Sequence, residues 1–438
     1  MMRLLLLCLL GCGALPAQQI PAATELPGSP FFIKQTWVIG GVGNWDYLTM
    51  DPAAQRLYIA HGPQVQVVDV ETGQVAGAIS GLREAHDIAL DDAGEFGYIS
   101  DGPADEVKVF DRRTLAVVAT IATGPAPRAL VYEPQNKLLL AVCANPLTEN
   151  TAQQNGGQAR KTANASGRTP ARNVPPQTAA GEQIKSSITV IDAETRQPLG
   201  AILMPGRLGF AETDGRGQVF LNVVSRNQIA RLDAQSIAVL LGRPADKADV
   251  AQTAVNQPSN AAPDSAKENV VPQMLDWSHE SSLPNSAENR MSLFHLGPDC
   301  RELSALAVDG AHMRLFAACG NMKMVVLNGG TGEQVTSLAI GPGAEAIGYD
   351  AGRGLIYTAN GGAQGTLTII RQDVTDTYSE IQNLATRQRA RTLAVNSATG
   401  QVYLVTDLLG VKLDQPGSIG TLRTTPVRGS FQVLVIGN

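Results

Sequence analysis

Short apolar runs separated by turn residues recur along the chain at a period of about 40 residues. The segment around Tyr98 restates the segment around Tyr58, and in both an apolar run, an acidic turn and a second apolar run follow one another. Apolar and polar residues alternate within the runs, as from Gln66 to Asp69. Alternation with a period of two favours β-strands over helices.

The repeat can be followed to the end of the chain by a large apolar residue in its second run. These residues are Tyr58, Tyr98, Leu139, Phe220, Phe316, Tyr357 and Tyr403. Each is preceded by a turn with an acid or its amide, a residue type that suits tight hairpins; the turn residues are Asp51, Asp91, Glu133, Asp214, Asp309, Asp350 and Asn396. Seven repeats of four short strands predict an all-β, seven-bladed β-propeller of four-stranded blades.

Two stretches between repeats are too long for the period. Residues 145–186 and 236–289 are rich in Ala, Asn, Gln, Gly, Thr and Pro and carry few apolar runs. Such composition is typical of disordered segments, because it cannot bury enough apolar surface. They are therefore interpreted as low-complexity insertions into blades 3 and 4, with a short helix expected at Ser236–Leu241. A shorter insertion, Asp407–Gly429, lies in the last repeat.

The last repeat lacks a fourth strand, since the chain ends with a run that corresponds to a third one. The apolar run Phe32–Ile39 has no repeat of its own. We expect it to supply the missing outer strand and close the ring, which leaves only short, protected strand edges. The propeller then comprises residues 32–438.

The first seventeen residues resemble a cleaved secretory signal, with Arg3, an apolar stretch and then small residues. Two cleavage sites compete: one before Cys12, which would make that residue a lipidated N-terminus, and one after Ala17. Residues 18–31 then form a linker. Both alternatives predict an extracytoplasmic protein that contacts a membrane only through an anchor at Cys12.

Cysteines in the body of the chain are interpreted in that oxidising setting, where disulfides persist. Cys300 precedes the first strand of blade 5 and Cys319 ends its second, so antiparallel pairing brings them to one face. A disulfide between them is expected, with Cys143 as a buried free thiol. The alternative is three unpaired buried cysteines.

Charge and motifs exclude some functions. The formal net charge of −6 does not suit a nucleic-acid-binding protein, which usually carries a basic patch. The sequence contains no P-loop, GxSxG, HExxH, CxxC or EF-hand pattern. No cofactor is expected, with a divalent metal as the alternative, and the protein is expected to be a monomer.

Candidate binding residues come from the repeat alignment. The first strand of each blade should line the central channel, and its first aligned position is occupied by Asp46, His86, Arg128, Gly209, Ser304, Glu345 and Arg391. Apolar residues such as Leu48 and Ile88 follow, which predicts a polar mouth above a packed core. The positions across the hairpin are His61, Asp101, Val142, Val223, Cys319, Asn360 and Thr406.

Two of these hairpins suggest chemistry. Asp46 should face His61 in blade 1, and His86 should face Asp101 in blade 2. The four side chains could hold a divalent metal or a general base. They could equally be hydrogen-bonded pairs that fix loops, and the sequence leaves both interpretations open.

The segments "RLYIAHGPQVQVVDVETGQV", "AEAIGYDAGRGLIYTANGGAQGTLTII" and the terminal "GSFQVLVIG" resemble the YncE-like, YVTN-repeat family of seven-bladed propellers of secreted bacterial proteins. Asn360 and the turn Asp69–Gly73 match the family pattern, whereas His61 and Asp101 depart from it. The resemblance implies an extracytoplasmic binding or interaction protein and carries over no catalytic residues. Some seven-bladed relatives are lactonases or carry redox cofactors, which keeps an enzyme in view.

The sequence thus predicts a non-catalytic module that binds an unidentified protein, peptide or small polar ligand at the mouth. The alternative is a lactonase-type or other metal-dependent hydrolase that uses the Asp/His cluster. The expected ligand-binding residues are Asp46, His61, His86, Asp101, Arg128, Ser304, Glu345, Asn360 and Arg391.

Overall fold

A computed structural model describes residues 31–41, 43–143, 185–244, 273–277, 291–413 and 422–438. Seven four-stranded antiparallel blades form a β-propeller. First strands of neighbouring blades contact one another in turn, and that of blade 7 contacts that of blade 1. The first strands therefore line the axis of a closed ring.

Each blade follows chain order from the axis outward. The strands of blade 1 are Trp45–Asp51, Arg56–His61, Gln64–Asp69 and Val75–Ile79. Those of blade 2 are Ala85–Leu90, Phe96–Asp101, Glu106–Asp111 and Val117–Ala122. Those of blade 3 are Pro127–Glu133, Leu138–Cys143, Lys185–Asp192 and Gln197–Pro205. Blade 4 consists of Leu208–Thr213, Gln218–Val223, Gln228–Asp233 and Met291–His295. Blade 5 consists of Leu303–Asp309, Arg314–Cys319, Lys323–Asn328 and Gln334–Ala339. Blade 6 consists of Ala344–Asp350, Leu355–Asn360, Thr366–Val374 and Thr377–Ala385.

Blade 7 combines both ends of the chain. Its first three strands are Leu393–Asn396, Gln401–Thr406 and Gln432–Gly437, and its outer strand is Phe32–Val38. The outer strand pairs antiparallel with Gln432–Gly437. Closure of the ring by the N-terminal strand is thus confirmed.

The aligned large residues of the second strands form the core between blades. Tyr58, Tyr98, Phe220 and Phe316 are fully buried. Tyr58, for example, packs on Phe110 of the next blade with ring centroids 5.6 Å apart. Stacking of one sheet on the next through such side chains explains why the aligned positions are uniformly large and apolar.

The acids of the hairpin turns also act as expected from the sequence. The Asp91 carboxylate accepts hydrogen bonds from the backbone amides of Gly94, Glu95 and Phe96. Arg112 joins Asp91 to the buried Asp51 of blade 1. These turns therefore fix each hairpin and tie neighbouring blades together on the face opposite the mouth.

Two short parts of the second insertion belong to the fold, and the first of them is the helix expected from the sequence. A helix, Ala234–Leu240, begins at Asp233, whose side chain accepts a hydrogen bond from the Ser236 amide. Strand Gln273–Asp276 then pairs in parallel with Gln197–Pro205 as a fifth strand of blade 3. Its order is explained by Trp277, which is buried in the same core cluster as the helix. A further hairpin, Leu409–Leu413 and Leu422–Pro426, stands in the blade 7 insertion.

Several predictions fall on residues outside the described ranges: the signal, Cys12, most of the linker, and nearly all of the first insertion. Cys300 and Cys319 form a disulfide with Cα atoms 5.3 Å apart. Cys143 is a buried free thiol, and burial raises its pKa to about 11. Within the described ranges, no helix is long and apolar enough to cross a membrane.

Candidate functional site

The mouth is a cavity of about 640 Å³ where the first strands of blades 1 to 3 begin. Its lining includes four of the aligned polar residues, Asp46, His86, Arg128 and Arg391. Antiparallel pairing fixes this convergence, because every first strand begins on the same face of the ring.

A charged contact joins three blades at the mouth. The Asp46 Oδ2 atom lies 2.9 Å from Nδ1 of His86 and 3.4 Å from Nη2 of Arg128. The His86 side chain is only 8% exposed, whereas that of Arg128 is 54% exposed. Asp46 thus positions a buried imidazole and leaves the Arg128 guanidinium accessible to a ligand.

The pairing expected within each hairpin is wrong. His61 Nδ1 instead lies 2.7 Å from Oε1 of Gln66. Asp101 accepts hydrogen bonds from the backbone amides of Arg83 and Glu84. A register shift at the start of each first strand is the cause: Trp45 and Ala85 take the paired positions, and the next residue turns toward the neighbouring blade.

Because of that shift, the proposed metal set does not assemble. His61 and Asp101 are fully buried and bound elsewhere. Among the described residues, no group of three or more His, Cys, Asp or Glu side chains is placed to hold a metal ion.

The other side of the mouth contains two further ion pairs. Arg391 lies 3.1 Å from Glu345, and Arg389 makes two 3.0 Å contacts with Asp407. The Arg389 guanidinium carbon stands 4.6 Å from the centroid of the Trp45 ring. Cation–π geometry of this kind holds both side chains in place. Sequence alignment missed Arg389 and Asp407 because both lie in loops outside the repeated strands.

Two predicted ligand residues serve the blades instead. Asn360 is fully buried, and its amide donates to the hydroxyls of Thr366 and Thr368. The Ser304 hydroxyl donates to the carbonyl of Ala318 in the adjacent strand. Both residues satisfy buried hydrogen-bonding groups, and neither lines the mouth cavity.

Below the mouth, the channel is less apolar than the packed core expected from the sequence. A cavity of about 360 Å³ is lined by the first strands and includes Asp87 and Glu212. Burial raises the pKa of Asp87 to about 7, against the lowering effect of hydrogen bonds from the Leu130 and Ile88 amides. Burial, and then the charge of Asp87, raise the pKa of Glu212 to about 8. Asp87 stands just before the apolar run Ile88–Leu90 and Glu212 just after Phe210–Ala211, so the sequence shows both acids only as ends of apolar runs.

No family model and no curated protein sequence matches the chain. Solved structures do. The "Crystal Structure of Mitotic Checkpoint Complex" contains a chain with a TM-score of 0.56 at 12% identity, covering 91% of this chain and 94% of that one. The "Structure of U3-55K" gives 0.58 at 8% identity, covering 94% and 99%. The "Crystal structure of RRP9 WD40 repeats" gives 0.58 at 7% identity, covering 95% and 100%. These similarities establish the propeller fold.

Proposed function

We propose that the protein is an extracytoplasmic interaction module that binds a partner protein through the mouth. The observation that carries the proposal is the accessible Arg128 guanidinium beside the buried Asp46–His86 pair, in a cavity of about 640 Å³. The site stands on the ends of packed strands, which supply the rigidity that specific recognition needs.

Two further observations support an interaction role. Propellers of this fold include a chain of a mitotic checkpoint complex, which is an assembly. The repeat also resembles that of YncE-like propellers, and we propose membership of that family. The inference from a shared fold to an interaction role is an analogy, since propellers host many activities.

The proposed location rests on the N-terminal sequence and the disulfide. Residues 1–17 have the composition of a secretory signal. The Cys300–Cys319 disulfide suits an oxidising compartment. Cell fractionation followed by mass analysis of the mature N-terminus tests the location and distinguishes lipidation at Cys12 from cleavage after Ala17.

The hydrolase alternative receives no support from the geometry of the described residues. It requires Asp46, His61, His86 and Asp101 to converge, and His61 and Asp101 instead bind Gln66 and backbone amides. Elemental analysis of protein purified without chelators provides a separate check, because about one equivalent of metal per chain would favour that alternative.

Partner capture tests the proposal directly. Wild-type protein and an Arg128→Glu variant are used as baits against the extracytoplasmic fraction of the source cell. A specific partner should be retained by the wild type and lost with the variant. Arg113→Glu is the matched control, because Arg113 is exposed on the opposite face. Equal capture by all three baits would contradict a role for the mouth.

A further inference from the structure

A second, smaller pocket adjoins the mouth and shares Trp45 with it. This lateral pocket of about 230 Å³ lies between the blade 7 insertion and the loop that leads into blade 1. Trp45 and Phe431 are 3% and 4% exposed, and their ring centroids lie 5.2 Å apart. The two rings give the pocket a rigid aromatic wall.

Two ionisable side chains of the lateral pocket, Asp407 and His61, are already occupied. Asp407 pairs with Arg389, and His61 Nδ1 lies against Gln66. A charged group deep in the pocket, away from the exposed Arg428, would lose water without gaining a free counter-ion, at a high desolvation cost. The pocket therefore favours an apolar side chain.

Exposed apolar residues lie in the blade 7 insertion that forms one side of the pocket. Leu408, Val411 and Val427 are 41%, 63% and 44% exposed, and Val427 also lines the pocket. Side chains of this type beside a buried aromatic pair match the anatomy of protein interfaces, in which an anchor residue fills a pocket inside a polar rim.

The rim carries free positive charge. Arg428 lines the pocket, and Arg387 lies two residues from Arg389 in the neighbouring loop. Both are exposed, and neither forms an ion pair with a described residue. Arg83, Arg207 and Arg301, in other loops of the same face, are likewise exposed and without an ion pair among the described residues. A partner complementary to the rim formed by Arg387 and Arg428 is acidic.

We propose that the lateral pocket and its arginine rim bind an acidic segment of a protein partner. A bulky apolar side chain of that segment occupies the pocket, and flanking carboxylates pair with Arg387 and Arg428. Apolar anchoring favours a protein over a nucleic acid or an anionic membrane, neither of which supplies a single protruding side chain. The inference rests on the proposed interaction function and assigns its partner a chemical class.

The test uses a fluorescein-labelled peptide with a central leucine between two runs of four glutamates. Two control peptides replace the glutamates by serine or the leucine by alanine. Fluorescence anisotropy with the full chain at low ionic strength should show binding that added salt weakens. Each control peptide should bind about tenfold more weakly.

Variants of the protein locate the site. Arg387→Glu and Arg428→Glu should each weaken binding of the acidic peptide about fivefold or more. Val427→Asp should do so because a carboxylate at the pocket repels the glutamates and disfavours the leucine side chain. Arg113→Glu on the opposite face should leave binding unchanged. Thermal unfolding of every variant verifies that the fold is retained.

Four outcomes would overturn the proposal. The first two are equal affinity for the serine peptide and insensitivity to both arginine reversals. The third is no binding of the acidic peptide combined with arginine-dependent binding of phosphatidylglycerol vesicles or an oligonucleotide, and the fourth is the absence of any binding. Partner capture that depends on Arg128 would survive all of these, so the proposed function and this inference can fail separately.

Discussion

Asp46 and His86 join the first strands of blades 1 and 2 through a contact of 2.9 Å between Oδ2 and Nδ1. The two residues occupy the same aligned position of successive repeats, 40 residues apart. The repeat therefore brings the carboxylate and the imidazole together across a blade boundary, in the lining of the mouth.

We expect this contact to stabilise the ring as well as shape the site. Asp46→Ala and His86→Ala should each lower the free energy of unfolding by about 1–2 kcal/mol, because each leaves a partner unsatisfied. The double variant should reveal a coupling of about 0.5–2 kcal/mol. Urea denaturation measures all three.

Arg128→Ala is the control for this cycle. Its side chain is 54% exposed and 3.4 Å from Asp46, so its loss should change the free energy of unfolding by less than about 1 kcal/mol. Additive effects of Asp46→Ala and His86→Ala would contradict a direct interaction.

The channel acids predict a dependence of stability on pH. Burial raises the pKa of Glu212 to about 8 in the folded protein, well above the ordinary range of a glutamate. Between the ordinary pKa of a glutamate and about pH 8, the folded state retains a proton that the unfolded state has released. Stability therefore falls as the pH rises from about 5 through 8. Burial also raises the pKa of Asp87 to about 7, which makes stability fall with rising pH in the same way.

Glu212→Gln should remove part of that fall, because the amide is neutral at every pH. The variant should be more stable than the wild type at about pH 8.5, by on the order of 1–2 kcal/mol, with little difference near pH 5. Chemical denaturation across that range measures it. Glu71→Gln, an exposed change, should follow the wild-type curve; a wild-type stability that does not fall with pH would count against the buried acids.

The fold could be predicted from the sequence because each blade repeats the same pattern of residues. Every second strand buries a large apolar residue, as Tyr58 does, and every hairpin has an acid or its amide, such as Asp91 or Asn396, to hold its backbone amides. The unpaired run at Phe32 then had one strand position left to fill. Repetition made these features visible seven times over.

The site was only partly predictable, for local reasons. Alignment placed Asp46 and His86 correctly at the mouth, but it could not detect the register shift that turns them away from His61 and Asp101. Trp277 lies in a stretch of unfavourable composition, and its packing in the blade 3 core depends on tertiary contacts that composition does not report.

The disulfide of blade 5 should contribute strongly to stability. Cys300→Ser is expected to lower the free energy of unfolding by about 2–4 kcal/mol, because the bond restricts the unfolded chain across a separation of 19 residues. Cys143→Ala is the comparison, with a smaller loss that reflects only removal of a buried sulfur. Equal losses for the two variants, measured by urea denaturation, would show that the disulfide adds nothing beyond packing.

The junction between the closing strand and blade 1 offers a sharp test at Gly73. Its φ of +71° already disfavours a side chain, and a Cβ there would lie 2.5 Å from the Trp37 indole of the outer strand of blade 7. Gly81 has a φ of +89° but open space around a Cβ, so it isolates the backbone cost. Gly81→Ala should lower the free energy of unfolding by about 1 kcal/mol, and Gly73→Ala by about 1–3 kcal/mol more.

Removal of the Trp37 indole should largely abolish the difference in cost between Gly73→Ala and Gly81→Ala. In a Trp37→Ala background the added cost of Gly73→Ala should shrink toward that of Gly81→Ala, because the collision is gone and only the backbone conformation remains. Thermal unfolding of the four single and double variants measures the change. An unchanged cost in that background would mean that the Trp37 indole does not pack on the Gly73 turn, and that the core between blades 7 and 1, which includes Leu57 and Tyr403, holds this junction without it.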